Sequence, residues 1–180
     1  KPQATSHKPQ VRFSGFNEVW LEKKLGEVLL THSYRSFLSE SYQEGAYNVI
    51  QQGSKPISGY ADGNPFSNFE QVVLFGDHTL SLYKPNSPFF VASDGIKILS
   101  ADGFDGNYLF DILEKYMPLS QGYKRHYSIL KNQLVCFTKN ELEQQKIGQL
   151  FKHLDARISN EQSKIEQLKA QKQGLLQKML

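Results

Sequence analysis

Apolar residues in the first three quarters of the chain fall in short runs separated by turn signals. Ala46 to Gln52, Phe69 to Phe75, Thr79 to Tyr83, Phe89 to Ser93 and Ile96 to Leu99 are rich in β-branched and aromatic residues. Between or beside them stand the dipeptides Gln52-Gly53, Asp62-Gly63, Gly76-Asp77, Lys84-Pro85 and Asp94-Gly95. This pattern predicts strands joined by tight turns. From Asn107 to Tyr116 the period changes: Leu109, Ile112, Leu113 and Tyr116 share one helical face, and Pro118 lies just beyond. The expectation is a mixed α+β domain with a curved sheet.

A second regime begins at residue 140. Thr138 to Glu141 fits a capping box, as does Asn140 with Glu143 one turn on. From there residues 147, 151, 154, 158, 161, 165, 168, 172, 175 and 179 alternate in steps of four and three, and eight of these ten are apolar. That is a heptad seam, broken only by Glu161 and Lys172. A helix of ~35 residues spans roughly 50 Å at 1.5 Å per residue. It is too long to lie wholly on a domain of this size, so the seam calls for a partner helix.

The two charges in the seam choose among pairings. In an antiparallel homodimer whose facing positions sum to a constant, one register sets Glu161 against Lys172, Ile165 against Leu168, Ile158 against Leu175 and Leu154 against Met179. A parallel pair in register would set each charge on its own copy, and a heptad shift would set each against an apolar residue. The antiparallel dimer through Leu154, Ile158, Glu161, Ile165, Leu168, Lys172, Leu175 and Met179 is therefore expected. Ile147 and Phe151 fall outside that overlap and are expected to pack on the head.

Composition draws the domain limits more sharply. Of 22 aromatic residues, only Phe151 lies after residue 140, while eight glutamines follow Phe137. The reading is a frayed tail over 1–10, a globular domain over 11–139 and a coiled-coil helix over 140–180. The start carries no apolar stretch of the signal-peptide kind, and no run approaches the ~18 residues of a membrane span. A lone cysteine, Cys136, excludes an internal disulfide and a single-chain thiolate zinc cluster, which suits a reducing, cytoplasmic setting. The 21 basic and 18 acidic residues leave a net charge of +3, which permits nucleic-acid binding without announcing it.

Catalytic and metal chemistry finds little support. Gly76-Asp77-His78-Thr79, with His126, lacks a second carboxylate and imidazole at ligand spacing. Cys136 beside His126 would make a nucleophilic pair, but Leu134, Val135 and Phe137 around it predict a buried structural thiol. Asn64-Pro65-Phe66 resembles part of an amino-methyltransferase motif without its second proline, and no glycine-rich turn is placed to hold a nucleotide cofactor. Neither metal nor cofactor is expected. Two loops offer a different chemistry. Gln51-Gln52-Gly53-Ser54-Lys55 and Gln121-Gly122-Tyr123-Lys124-Arg125-His126 present amides, hydroxyls, cations and aromatic rings. Amides suit adenine edges, arginine suits guanine, and lysine suits phosphate.

These residues resemble a known family. Asn140 to Gly148 and the helix that follows, ending Lys172-Gln173-Gly174-Leu175-Leu176-Gln177-Lys178-Met179, are similar to the spacer of type I restriction-modification specificity subunits. Val11 to Phe16, Trp20 and Lys24-Leu25-Gly26-Glu27-Val28 resemble the start of their target recognition domains, and Phe75 to Thr79 and the 121–126 loop resemble patterns within them. The resemblance implies a non-catalytic chain that recognises double-stranded DNA and directs methyltransferase subunits, and through them a restriction subunit, to a bipartite target. It implies DNA contacts from Gln121, Tyr123, Lys124, Arg125 and His126, with Gln51, Gln52, Lys55, His78 and Thr79 as further candidates. Asp77, whose charge repels DNA, is expected to orient its corner instead. Members of the family carry two recognition domains and two spacers; one of each here looks like a half-subunit. Two other readings stay open: a free-standing coiled-coil DNA-binding regulator and an oligomerisation scaffold.

Overall fold

The computed structural model describes residues 9–122 and 124–180. Nine strands and three helices follow in chain order. They are β1 (Leu21–Lys24), β2 (Leu29–His32), β3 (Tyr47–Ile50), β4 (Ile57–Ala61), β5 (Val73–Gly76), β6 (Leu82–Tyr83), β7 (Phe89–Val91), β8 (Ile96–Ala101), α1 (Gly106–Lys115), α2 (Tyr127–Lys131), β9 (Leu134–Phe137) and α3 (Glu141–Met179). The chain divides into two compact units, Lys1–Gly148 and Gln149–Leu180. The architecture is α+β, as the sequence predicts.

A four-stranded sheet, ordered β2-β8-β5-β6, organises the first unit. Its central strands are covered on both faces, which explains the apolar run of β5 and leaves only Lys97 and Ser100 polar in β8. Val73, Phe75, Leu99 and Ala101 face a core built with Tyr108, Leu109, Ile112 and Leu113 of α1. Leu74, Ile96 and Ile98 face a second core with Ile50, Phe66, Phe89 and Val91. That alternation is the period of two expected of a strand. The second core leads to a three-stranded sheet, β4-β3-β7, in which β3 runs parallel to β7 and antiparallel to β4. A two-stranded ribbon pairs β1 with β9, Leu21 opposite Phe137.

Helix α1 starts one residue earlier than predicted because Asp105 caps it, accepting from the N–H groups of Asn107 (2.9 Å) and Tyr108 (3.0 Å). At α3 the cap is Asn140, whose Oδ1 accepts from Glu143 N–H (3.0 Å). The reciprocal half of the capping box is absent: Thr138 Oγ1, not Glu143, accepts the Asn140 N–H (3.1 Å). The Glu143 carboxylate instead pairs with the Arg12 guanidinium (2.6 and 2.8 Å). Burial alone would raise its pKa, but the Arg12 and Thr138 hydrogen bonds outweigh that and hold it below the ordinary value. Gln144 is also buried, linking Asp105 N–H (2.9 Å) to the Thr138 carbonyl (2.8 Å).

Several expectations need correction. Phe69–Gln71, predicted as the start of a strand, is a 3-10 turn, and the strand proper is Val73–Gly76. Thr79 and Leu80 belong to the turn between β5 and β6, closed by Leu80 N–H to the Gly76 carbonyl (2.9 Å). Cys136 is half-buried rather than sealed, and its thiol donates to Glu22 Oε2 (3.6 Å). Ile147 packs against the first core, but Phe151 stays 45% exposed. Of the tail expected over 1–10, residues 1–8 lie outside the described residues.

Candidate nucleic-acid interface

The sequence candidates meet at one corner, where the end of β5 lies beside the start of β8. Gly76 is paired with Ile96 there, so the corner stands on the two most buried strands of the sheet. Asp77 is its hub. Its N–H donates to the Gly95 carbonyl (2.8 Å), and its own carbonyl accepts the His126 N–H (2.9 Å). Its Oδ1 accepts the Tyr127 N–H (2.7 Å), and its Oδ2 lies 3.8 Å from Lys97 Nζ. Asp77 is 2% exposed. It orients the corner, and its carboxylate is already occupied.

His126 is 0% exposed, which corrects its expected role as a direct DNA contact. Its Nδ1 lies 3.1 Å from the Asp77 carbonyl, which can only accept, so Nδ1 carries the proton. Nε2 is then the acceptor for Gln121 N–H (3.1 Å). The ring ties the 121–126 loop to the sheet; it positions Lys124 and Arg125 rather than joining them. Both nitrogens being engaged, it is also no partner for a Cys136 nucleophile. That thiol is further disfavoured as a thiolate because burial, and then Glu22, push its pKa up.

The loop after β3 joins the same corner. Gln51 N–H donates to the Pro56 carbonyl (2.7 Å) and Gln51 Nε2 to the Lys55 carbonyl (2.9 Å), so the loop closes on itself. Gln52 Oε1 accepts the His78 N–H (3.2 Å), and Gly53 N–H donates to Ser81 Oγ (2.9 Å). Ser81 Oγ in turn lies 2.8 Å from Thr79 Oγ1. Thus Gln51, Gln52, Lys55, His78, Thr79, Gln121, Lys124 and Arg125 are gathered on segments linked directly or through Asp77. Tyr123 lies outside the described residues.

The charges of the corner divide into fixed and exchangeable. Lys97 is held by Asp77 and by the Asp94 carbonyl (2.9 Å). Arg125 faces Asp94 at 3.8 Å with both side chains over 60% exposed. An exposed pair of this kind is worth only ~0–1 kcal/mol, so a phosphate can displace it. Lys55 and Lys124 are exposed, with no carboxylate in ion-pair reach among the described residues. Sequence reasoning missed Lys131, whose Nζ sits 5.0 Å from the centre of the Tyr127 ring. Tyr127 and Lys131 are four residues apart on α2, a spacing that would have flagged the pair had the short helix been foreseen.

In the second unit the seam is bare. Leu154, Ile158, Ile165, Leu168, Leu175 and Met179 are each at least 41% exposed. Glu161, expected against a partner's Lys172, bonds Lys164 of its own helix (2.8 Å). Among the described residues no helix is long and apolar enough to cross a membrane, and no group of three or more His, Cys, Asp or Glu is placed to hold a metal.

No protein-family model matches the sequence, and no curated protein gives a significant match. Among solved structures, the chain is similar to the type I restriction-modification system S subunit from M. genitalium, with a TM-score of 0.62 and 17% identity. The superposition covers 87% of this chain and 44% of that one, so the chain spans less than half the length of the S subunit it matches. Over that span the protein has the fold of a type I restriction-modification S subunit.

Proposed function

We propose that this chain recognises a DNA sequence as a specificity half-subunit of a type I restriction-modification complex, with residues 11–139 as the target recognition domain and 140–180 as a spacer and dimerisation helix. In this reading it works in the cytoplasm, performs no catalysis, and directs methyltransferase subunits, and through them a restriction subunit, to their target. The observation that carries the reading is the gathering of amide, hydroxyl and cationic side chains from three separate loops onto one corner of an S-subunit fold. Loops mounted on a buried sheet can change sequence specificity without disturbing the core.

The exposed seam supports pairing with a second copy. With facing positions summing to 333, residues 153 to 180 of two antiparallel chains overlap over about 40 Å. Glu161 would leave Lys164 for Lys172 of the other copy at little cost, since exposed pairs are weak. A two-fold dimer would read a target made of two inverted identical half-sites with an unread gap.

The test is to express the full chain with a type I methyltransferase subunit, purify the complex and map methylated adenines in the host DNA. Methylation confined to inverted half-sites is expected. Salt-sensitive duplex binding without methyltransferase association would favour a free-standing regulator. Neither association nor DNA binding would leave the scaffold reading.

A further inference from the structure

Gln52 is seated more tightly than a solvated loop requires. A Cβ on Gly76 would stand 2.8 Å from Gln52 Cβ, and one on Gly95 would stand 2.5 Å from Gln52 Nε2 and 3.2 Å from its Cδ. Neither glycine has a positive φ, so backbone conformation does not demand glycine at either position. Gly76 also makes room for Thr79 and Ser81, but at Gly95 the space is filled chiefly by the Gln52 amide. The orientation of that amide is settled by chemistry. The group facing it at 3.2 Å is the His78 N–H, a donor, so the oxygen points there. Nε2 has no hydrogen-bond partner among the described residues and is not sealed from solvent.

We propose that Gln52 is a specificity-determining residue that reads a keto base in the major groove through its Nε2 donor, an inference that rests on the DNA-recognition reading above. The contact is with the keto oxygen: guanine O6 and thymine O4 accept at the position where adenine N6 and cytosine N4 donate, whereas the adenine N7 acceptor lies nearer the edge of the groove. A glutamine contacting adenine uses its oxygen as well as its nitrogen; here the oxygen is turned to the His78 N–H. This replaces the bidentate adenine contact expected of a loop glutamine. The two glycines and the His78 N–H hold the amide before DNA arrives, which lowers the ordering cost of the contact.

The experiment selects bound duplexes from a randomised pool with the full chain and compares base preferences for wild type, Gln52→Glu and Gly95→Ala. Gln52→Glu keeps the acceptor for His78 N–H but turns the free end into an acceptor. Wild type should favour guanine or thymine at one position by about tenfold, the ratio that 1.4 kcal/mol represents. Gln52→Glu should invert that position toward adenine or cytosine. Gly95→Ala, which displaces the amide, should flatten the same position and leave the others. A motif unchanged by Gln52→Glu, or weakened equally at every position, overturns the assignment while leaving DNA recognition standing. A wild-type chain that selects no motif overturns both.

Discussion

Gly148→Ala should destabilise the first unit, against the usual sign of such a change inside a helix. Alanine is favoured over glycine there by about 1 kcal/mol, and Gly148 lies within α3. Its missing side chain, however, is what lets α3 approach the first turn of α1. A Cβ would stand 2.9 Å from Tyr108 N, 3.0 Å from Asn107 Cβ and 3.2 Å from Asn107 C. Two of those atoms are backbone, so a helix has to move. Overpacking of this kind costs ~1–3 kcal/mol. A shift also strains the hydrogen bonds from Asp105 N–H to Gln144 and from Thr138 N–H to the Tyr108 hydroxyl, each worth about 1 kcal/mol. Setting about 1 kcal/mol of helix propensity against these terms leaves a net loss of roughly 1–3 kcal/mol. For a chain of this length that lowers the Tm by about 3–8 °C. Gly174→Ala is the matched control: nothing lies within 4 Å of its Cβ position, so it should raise helicity and stability by up to ~1 kcal/mol. Thermal melts followed by circular dichroism, with urea titrations for ΔG, read both. If Gly148→Ala stabilises as Gly174→Ala does, the close contact between the helices is not what the glycine is for.

Replacing Lys124 and Arg125 together with alanine should weaken duplex binding at least about tenfold and flatten its salt dependence, with an unchanged melting curve; undiminished affinity removes that loop from the interface. Asp77→Ala should cost ~1–3 kcal/mol because the Tyr127 N–H loses its acceptor, while Asp77→Asn, keeping that oxygen, should recover most of it in the same urea titration. Glu161→Lys should weaken the dimer in sedimentation experiments and a second change, Lys172→Glu, should restore it; a double variant no better than the single one rejects the register. Glu143 titrates below its ordinary 4.5 in the folded chain, so its stabilisation is present above that pH and fades as pH falls through the lower folded value. Glu143→Gln should flatten that acid limb, and an acid limb as steep as wild type's would assign it to other carboxylates.

Legibility in the sequence tracked burial and sequence distance. Strands β3, β7 and β8 were plain because Val49-Ile50 and Phe89-Phe90-Val91 are buried apolar runs and Ile96, Ile98 and Leu99 are buried with only Lys97 between them. β1 was not, since Glu22-Lys23-Lys24 is polar and becomes a strand only through β9. β4 was masked by Gly59, needed where a Cβ would stand 2.6 Å from the Tyr42 carbonyl. Both candidate loops were visible from composition, and so was the orienting part of Asp77. What joins them was not, because Asp77 and His126 meet across 49 positions. The sequence placed His126 among the contacts because a histidine beside two cations looks like one of them, and only tertiary packing turns its ring inward.

The pairing of β1 with β9 joins the first and last strands of the chain, and this governs when that part of the fold can close. Leu25, fully buried just after β1, donates its N–H to the Gln133 carbonyl (2.8 Å). Until residues 133–137 have been synthesised, the first strand and the core beneath it have no completing partner. Contacts of such sequence separation form slowly, because loop closure must precede any gain from them. On the ribosome β1 therefore waits as an unpaired edge, while the strands of the two larger sheets, all synthesised by Ala101, need no part of β9 to pair.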